Sequence, residues 1–153
     1  MRSNVMGNYF EDFEAGDEIF HAKSKTIFES DNNLFSLLTM NHHPVHINSD
    51  YASQNQHGKI LVVGTLVFSL AVGITVEDIS GCAIANLDYE SIKHTAPVFI
   101  GDTIYVTSRI LEKRLSESKA DRGIIYVETI VRNQNGVVVL TFRRHVLIKC
   151  RPC

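Results

Sequence analysis

If residues 60–76 form a helix, every face of that helix carries apolar residues. This feature limits the folds that the chain can adopt. The apolar positions of this segment recur at spacings of three and four residues, which predicts an α-helix. They are Val63, Leu66, Val67, Leu70, Ala71 and Ile74 on one face, and Val62, Phe68 and Val72 on the other. A helix that is apolar all round is expected to be buried all round. Gly64 and Gly73 lie near its ends, where the missing side chain lets another backbone or a ligand approach closely.

After Gly81 the pattern changes to long runs rich in β-branched and aromatic residues, which predict strands. The four candidates are Cys82–His94, Asp102–Leu115, Arg122–Asn133 and Val137–Lys149. Asn135-Gly136 lies between two β-branched runs and predicts a tight hairpin. Gly101-Asp102 predicts a turn that leads into a strand. The polar stretch at residues 113–123 is expected to be an exposed excursion between strands.

The first half of the chain predicts one strand followed by helical segments. Asp17–Glu29 has the alternation of an extended segment. Ser30 and Asp31 can cap a short helix that continues through Met40. The helical spacing there is set by Leu34, Leu37 and Leu38, which fall on one face.

One arrangement buries the apolar helix, namely a long antiparallel sheet that curls round it. This is the hot-dog architecture, an α+β fold, and we expect residues 1–153 to form one such domain. A single curled sheet leaves an edge strand, so we expect two protomers to pair into a longer sheet, as a homodimer or a higher oligomer of dimers.

Composition excludes several classes of function. The chain has 44% hydrophobic residues, 21% charged residues and a net charge of −2, which is typical of a globular domain and not of a nucleic-acid-binding one. No apolar run is long enough to cross a bilayer, and the acidic start is not expected to be a signal peptide.

The three cysteines, Cys82, Cys150 and Cys153, fit the reducing cytoplasm. The CxxC spacing at the end is more consistent with a frayed tail than with a redox or zinc site.

Residues 39–52 read TMNHHPVHINSDYA and contain three histidines around a proline. Pro44 restricts the backbone, so His46 is expected on a defined turn, where it can act as a general base near neutral pH. The alternative is a histidine that only hydrogen-bonds the loop. A metal site would need His42 or His43 with His46 and Asp50, but neighbouring side chains in an extended loop point apart, and no metal is expected. Residues 49–52 can begin a further helical turn.

The entry to the apolar helix is the second candidate site. Gly64 lies where backbone N–H groups are free and the helix dipole is positive, so this point can stabilise an enolate-like thioester oxygen. The alternative is that glycine merely lets the helix pass a strand.

These elements together resemble the MaoC-like (R)-specific enoyl-CoA hydratases of the hot-dog superfamily. The resemblance runs from Tyr9-Phe-Glu-Asp-Phe-Glu-Ala-Gly-Asp17 to the final strand. Its motifs are Asn41-His-His-Pro-Val-His46, Asp50-Tyr-Ala52, the segment from Gly58 to Gly64, and APVFIGDTI near residue 100. The stretches LFSLLTMN and ANLDYESIKHTAPVF are most similar to the subgroup of itaconyl-CoA and mesaconyl-CoA hydratases.

The resemblance implies that His46 is the catalytic histidine and that the Gly64 N–H polarises the thioester carbonyl. Asn41 stands in the place of the family's catalytic aspartate, and an amide can orient a water but cannot take its proton. The implied reaction is hydration of a C5 dicarboxylic enoyl-CoA such as itaconyl-CoA or mesaconyl-CoA, giving citramalyl-CoA or methylmalyl-CoA. The alternatives are a hydratase of linear enoyl-CoA and a non-catalytic acyl-CoA-binding homologue.

Such a substrate brings its own coenzyme A, and no separate cofactor is expected. Cations are expected near the substrate's extra carboxylate and the CoA phosphates. The candidate substrate-binding residues are Lys59, Thr65, Lys93, Arg143 and Arg144.

Overall fold

The computed structural model describes residues 7–152, so the first six residues of the acidic start, and Cys153 of the CxxC pair, lie outside it. Its strands are β1 (Glu18–Thr26), β2 (Ala83–Asn86), β3 (Glu90–His94), β4 (Thr103–Leu115), β5 (Arg122–Arg132) and β6 (Val138–Lys149). Its helices are α1 (Glu29–Thr39), α2 (Pro44–Ile47), α3 (Ser49–Ser53) and α4 (Gly64–Thr75), with a 3₁₀ turn at Phe10–Asp12 and a π-helical turn at Val76–Ser80. None of the helices over residues 7–152 is long and apolar enough to span a bilayer.

The six strands form one antiparallel sheet in the order β1-β4-β5-β6-β2, and β3 also pairs with β6. Side chains alternate between the two faces along β5 and β6, because successive residues of a strand point to opposite sides. The inner face packs on α4 in a core formed mainly by Ile27, Val63, Leu66, Val67, Ala71, Ile74, Ile104, Val106, Val131, Leu140 and Phe142. The predicted α+β hot-dog architecture is therefore confirmed.

The hairpin between β5 and β6 is also confirmed. Gly136 has φ +76°, a left-handed conformation that favours glycine. The Asn133 side-chain oxygen accepts hydrogen bonds from the N–H groups of Asn135 and Val137, at 3.0 and 3.1 Å. The side chain of Asn133 thus holds the turn.

One side of α4 is exposed, so the prediction of a helix buried all round is wrong for that side. Thr65, Ser69 and Gly73 follow one another at four-residue spacing and are all exposed. They form a narrow stripe of small residues that the sheet of this chain does not cover. The apolar residues on either side of the stripe still pack against the sheet.

The run predicted as one strand at residues 82–94 is two strands. The pairing with β6 is irregular between them, where Leu87 N–H donates to His145 O at 2.9 Å. Asp88 accepts the His145 N–H at 2.8 Å, so a carboxylate takes up a backbone donor of β6 at the break. The turn-forming residues Asn86 and Asp88 are a sequence signal for this break, which the prediction of a single strand did not use.

Helix α1 begins one residue before the predicted cap, and its leucine face points outward. Asp31 caps it from the first turn, where its carboxylate accepts the Phe28 N–H at 2.9 Å. The helix ends at Met40, which has φ +58°. The exposed side chains include Leu34, Leu37 and Leu38, whereas the buried ones are Asn32 and Ser36. The face of α1 that packs inward therefore combines the polar Asn32 and Ser36 with the half-buried Phe35, which contacts the core.

Candidate active site

The histidine-rich segment folds into two short helices. Pro44 is the first residue of α2, a position that suits its fixed φ and missing N–H. The ring of His43 accepts the Val45 N–H at 3.2 Å. The predicted turn after it is confirmed as α3, whose start is capped by the Asn48 side chain accepting the Tyr51 N–H at 3.0 Å. His46 is thus held on a helical turn and not on an extended loop.

His46 is half-buried, and one of its ring nitrogens is fixed. Its Nδ1 lies 2.6 Å from the carbonyl oxygen of Leu61. Because a carbonyl can only accept, Nδ1 carries the hydrogen and the neutral ring presents Nε2 as a free lone pair. His46 also lines a cavity of about 390 Å³ beside α1. The loop hydrogen bond and the general-base hypothesis are therefore compatible, since the bond orients the ring for proton abstraction.

The start of α4 carries free donors. The N–H groups of Gly64 and Thr65 donate to no other residue over the described part of the chain, whereas the N–H of Val63 is bonded. α4 has 12 residues and its first turn has no acidic side chain. The positive end of the helix dipole is therefore available to an oxygen that becomes negative during a reaction.

Asn32 joins these two parts of the site and was missed at the sequence level. Its side-chain N–H donates to His46 O at 3.1 Å, and its side-chain oxygen accepts the Val63 N–H at 3.0 Å. It is only 2% exposed. An asparagine beside a leucine-rich face is usually a solvent-facing residue, so the pattern gave no reason to single it out.

A second histidine, also missed, lies against Gly64. A Cβ at Gly64 would come within 3.0 Å of His94 Cε1 and 3.2 Å of His94 Nε2. His94 is the exposed last residue of β3, which pairs with β6. A side chain at residue 64 would therefore require the His94 ring to shift by a few tenths of an ångström.

Asn41 lies in the turn between α1 and α2 and is half-buried. Its side-chain amide makes no hydrogen bond to another residue within the described range, and so it is available to a water or a ligand. Its assignment as the water-orienting residue stays a prediction.

The residues predicted to bind the substrate lie in separate parts of the structure. Lys93 and Arg143 line one cavity of about 190 Å³ on the outer face of the sheet. Arg143 pairs with Glu128 at 2.8 Å, and hydrogen bonds with Tyr126 and then Glu128 raise its pKa. Lys59 lies 4.2 Å from the centroid of the Phe99 ring. Thr65 is at the exposed start of α4.

Arg144 points inward and is 1% exposed. Its guanidinium donates to Thr75 Oγ1 at 2.8 Å and to Asn86 Oδ1 at 3.3 Å, and burial lowers its pKa. Thr75 ends α4, whose 12 residues make it about 18 Å long. A C5 acyl group whose thioester oxygen lies at Gly64 cannot reach that far. The structure therefore does not place Arg144 at the substrate's carboxylate.

The metal alternative finds no support in the histidine segment. Within residues 7–152, metal-ligating side chains converge in one group, Asp88, Glu90 and His145, and not at His42, His43, His46 and Asp50. That group is already engaged, because Asp88 pairs with His145 and Glu90 accepts from Tyr126.

Comparison with known proteins places the chain in a family. The model of the mesaconyl-CoA hydratase family matches residues 2–153. A β-methylmalyl-CoA dehydratase of Chloroflexus aurantiacus is 35% identical over 145 residues, which are 95% of this chain and 41% of the relative. A mesaconyl-CoA hydratase of Cereibacter sphaeroides is 32% identical over 99% of this chain and 43% of its own length. The chain thus spans less than half the length of these relatives.

A solved structure shows the same fold. A putative MaoC-domain dehydratase of Chloroflexus aurantiacus superposes with a TM-score of 0.92 at 34% identity, covering 99% of this chain and 43% of that one. The chain therefore belongs to the mesaconyl-CoA hydratase family of MaoC-like hot-dog proteins.

Proposed function

We propose that this chain hydrates an enoyl-CoA thioester, with His46 as the base and the start of α4 as the site of the thioester oxygen. The observation that carries the proposal is the hydrogen bond of 2.6 Å from His46 Nδ1 to Leu61 O. This hydrogen bond orients the His46 ring. Its acceptor, Leu61, lies three positions before Gly64, and the N–H of Gly64 is free. The base is thus bonded to the segment that leads into the oxyanion donors, and acid–base catalysis on a thioester requires these groups to be positioned relative to one another.

The proposed reaction uses one water and returns every proton. The thioester oxygen accepts hydrogen bonds from the Gly64 and Thr65 N–H groups, which stabilise the enolate. His46 Nε2 takes a proton from water as the water oxygen bonds to the β-carbon. The same proton then passes from His46 to the α-carbon, which leaves the histidine neutral. In itaconyl-CoA the double bond is β,γ to the thioester, so His46 would first move a proton from the α-carbon to the methylene carbon, and the same hydration would follow. Asn41 orients the water through its amide, because an amide cannot serve as the base.

The substrate that we propose is a C5 dicarboxylic enoyl-CoA, either mesaconyl-CoA or itaconyl-CoA. The family and the names of the relatives support this choice. Asn41 supports it as well, since the substrate's own carboxylate can stabilise the protonated His46 in place of an aspartate. Lys93 and Arg143 are the cations that we propose for the anionic groups of the ligand, because they share one cavity.

We also propose that a second copy of the chain completes the molecule. A protein of Mycobacterium tuberculosis whose structure is described as a double hot-dog fold superposes with a TM-score of 0.88 at 20% identity, and this chain covers 46% of it. One hot-dog unit there corresponds to this chain. A homodimer would supply the other unit.

Hydration of mesaconyl-CoA, itaconyl-CoA and crotonyl-CoA, followed by chromatography of the CoA esters, tests the activity. We expect turnover of the two C5 esters and little of crotonyl-CoA. His46→Ala should lower kcat by about 10²–10⁴-fold, the usual contribution of a general base. His145→Ala, on the outer face, is the control.

Faster turnover of crotonyl-CoA than of both C5 esters would show that the preferred substrate is a linear enoyl-CoA and not a dicarboxylic one. Unchanged turnover in His46→Ala would remove the base from the mechanism. A wild-type chain that hydrates none of the three esters would refute the hydratase proposal.

A further inference from the structure

We propose that Asn32 is a positioning residue that sets the spacing between His46 and the start of α4. The inference rests on the proposed function, because it concerns the same base and the same oxyanion donors. Asn32 donates to the backbone oxygen of His46 at 3.1 Å and accepts from the N–H of Val63 at 3.0 Å. One side chain therefore links the residue that carries the base to the residue before Gly64.

The other backbone hydrogen bonds that hold the segment before α4 end at residue 62, whose N–H donates to Val98 O at 2.9 Å. Leu61 N–H donates to Val45 O at 3.2 Å, and Leu61 O accepts from the His46 ring. These bonds hold the ring and residue 61. Val63 is the last residue before the helix, and its N–H is bonded to Asn32. Without that bond, the start of α4 keeps the indirect link to His46 that runs through Leu61 but loses the direct link from Val63.

The burial of Asn32 breaks the pattern of its own helix. α1 exposes three leucines and buries Asn32 and Ser36. Burying an amide costs free energy unless its hydrogen bonds are made, and a leucine would fill an interior position without this requirement. Departures from local rules of this kind concentrate at functional sites. Here both hydrogen bonds of the amide end on backbone groups beside the two functional residues.

The two hydrogen bonds can be removed separately. Asn32→Asp keeps an oxygen for the Val63 N–H but loses the donor to His46 O, and Asn32→Leu loses both at similar size. We expect kcat/KM to fall by about 10²-fold in Asn32→Leu, the effect of displacing a reacting group by about 1 Å, and by less in Asn32→Asp. The loss should appear in kcat and leave KM nearly unchanged, because the groups that contact coenzyme A are intact.

Asn133 offers a matched control. It too is an asparagine whose side chain accepts backbone N–H groups, but it lies in the β5–β6 hairpin. Asn133→Asp and Asn133→Leu should lower the midpoint of thermal unfolding without changing kcat. If the Asn32 variants behave like the Asn133 variants, losing stability while kcat holds, Asn32 is purely structural and the proposal is overturned.

A measurement that needs no turnover separates this proposal from the hydratase proposal. NMR of the wild type and Asn32→Leu should show a change in the ring chemical shifts of His46 and faster exchange of the Val63 amide hydrogen. Those changes in a chain that hydrates no ester would support the link and refute the activity. Unchanged ring shifts of His46 together with a slow Val63 amide in Asn32→Leu would overturn the link.

Discussion

Gly64 and Gly73 differ in the space that surrounds them, although both lie in α4. A Cβ at Gly64 would meet the His94 ring at 3.0 Å, whereas a Cβ at Gly73 would have nothing within 4 Å. Both residues have ordinary helical backbones, so alanine is conformationally acceptable at either. Gly64 thus packs against a neighbouring ring, whereas Gly73 has no such neighbour and only weakens the helix.

Gly73→Ala should raise the free energy of unfolding by about 0.5–1 kcal/mol, the penalty of glycine inside a helix. Gly64→Ala should instead lower kcat/KM by about 10-fold or more, because the new methyl displaces His94 and the thioester from the helix start. Urea unfolding and ester hydration check the two effects. A fully active Gly64→Ala enzyme would show that the contact with His94 is not part of the site.

The contrast between Arg143 and Arg144 shows what a sequence can and cannot give at this scale. Both are basic residues in a strand, and alternation requires that they point to opposite faces. The alternation of apolar residues in β6 indicates which face is inner, because Arg144 shares a face with Phe142 and Val146 whereas Arg143 does not. It does not show what the buried guanidinium contacts, which is Thr75 at the C-terminal end of α4, where the dipole favours a cation.

At the scale of elements, the strands and the hairpin followed from the sequence because their signals are local. Turn chemistry at Asn135-Gly136 and β-branched runs require no knowledge of partners. The inward face of α1 and the position of His94 did not follow, since both depend on contacts between residues far apart in the chain. His46, Gly64 and Asn41 came from motif resemblance, whereas Asn32 needed the hydrogen bonds themselves.

The cap of α1 has a predicted pH dependence. The Lys25 ammonium, 2.8 Å from Asp31, and then the Phe28 N–H hold the pKa of the Asp31 carboxyl below its ordinary value of 3.8. A carboxylate with a lowered pKa in the folded state stabilises the fold above the unfolded-state pKa. That stability is lost as the pH falls through the lower, folded-state pKa.

Asp31→Asn keeps an oxygen for the Phe28 N–H but loses the ion pair with Lys25. It should therefore cost about 0.2–1 kcal/mol of unfolding free energy at neutral pH, as the loss of a partly exposed ion pair usually does. The difference from the wild type should shrink as the pH falls below 3.8, the ordinary value for this carboxyl. Urea unfolding across this pH range measures it. Glu29→Gln, in the same first turn, is the control and should show a smaller effect. If the loss of unfolding free energy in Asp31→Asn did not change with pH, the charge of the Asp31 carboxylate would not be its cause.

At the scale of the whole molecule, the sheet ends at an apolar edge. β2 and β3 pair with β6 on one side only, and no described strand covers the other. The exposed side chains along this edge include Ile84, Leu87, Tyr89 and Ile92. The unpaired backbone groups of such an apolar edge can pair with a strand of another chain. Natural proteins normally cover an edge of this kind or place charged side chains along it. A second copy placed there would also lie close to the exposed stripe of α4 and to His94.

Ile92→Asp should convert a dimer of the chain, about twice 17.2 kDa, into a monomer, because a carboxylate would have to be desolvated at the interface. Size-exclusion chromatography with light scattering measures the mass. Leu115→Asp, at an exposed strand end away from this edge, should leave the dimer intact. If the monomeric variant also loses hydratase activity at unchanged thermal stability, the partner contributes to the site. A dimer that persists in Ile92→Asp would place the interface on another surface, such as the leucine face of α1.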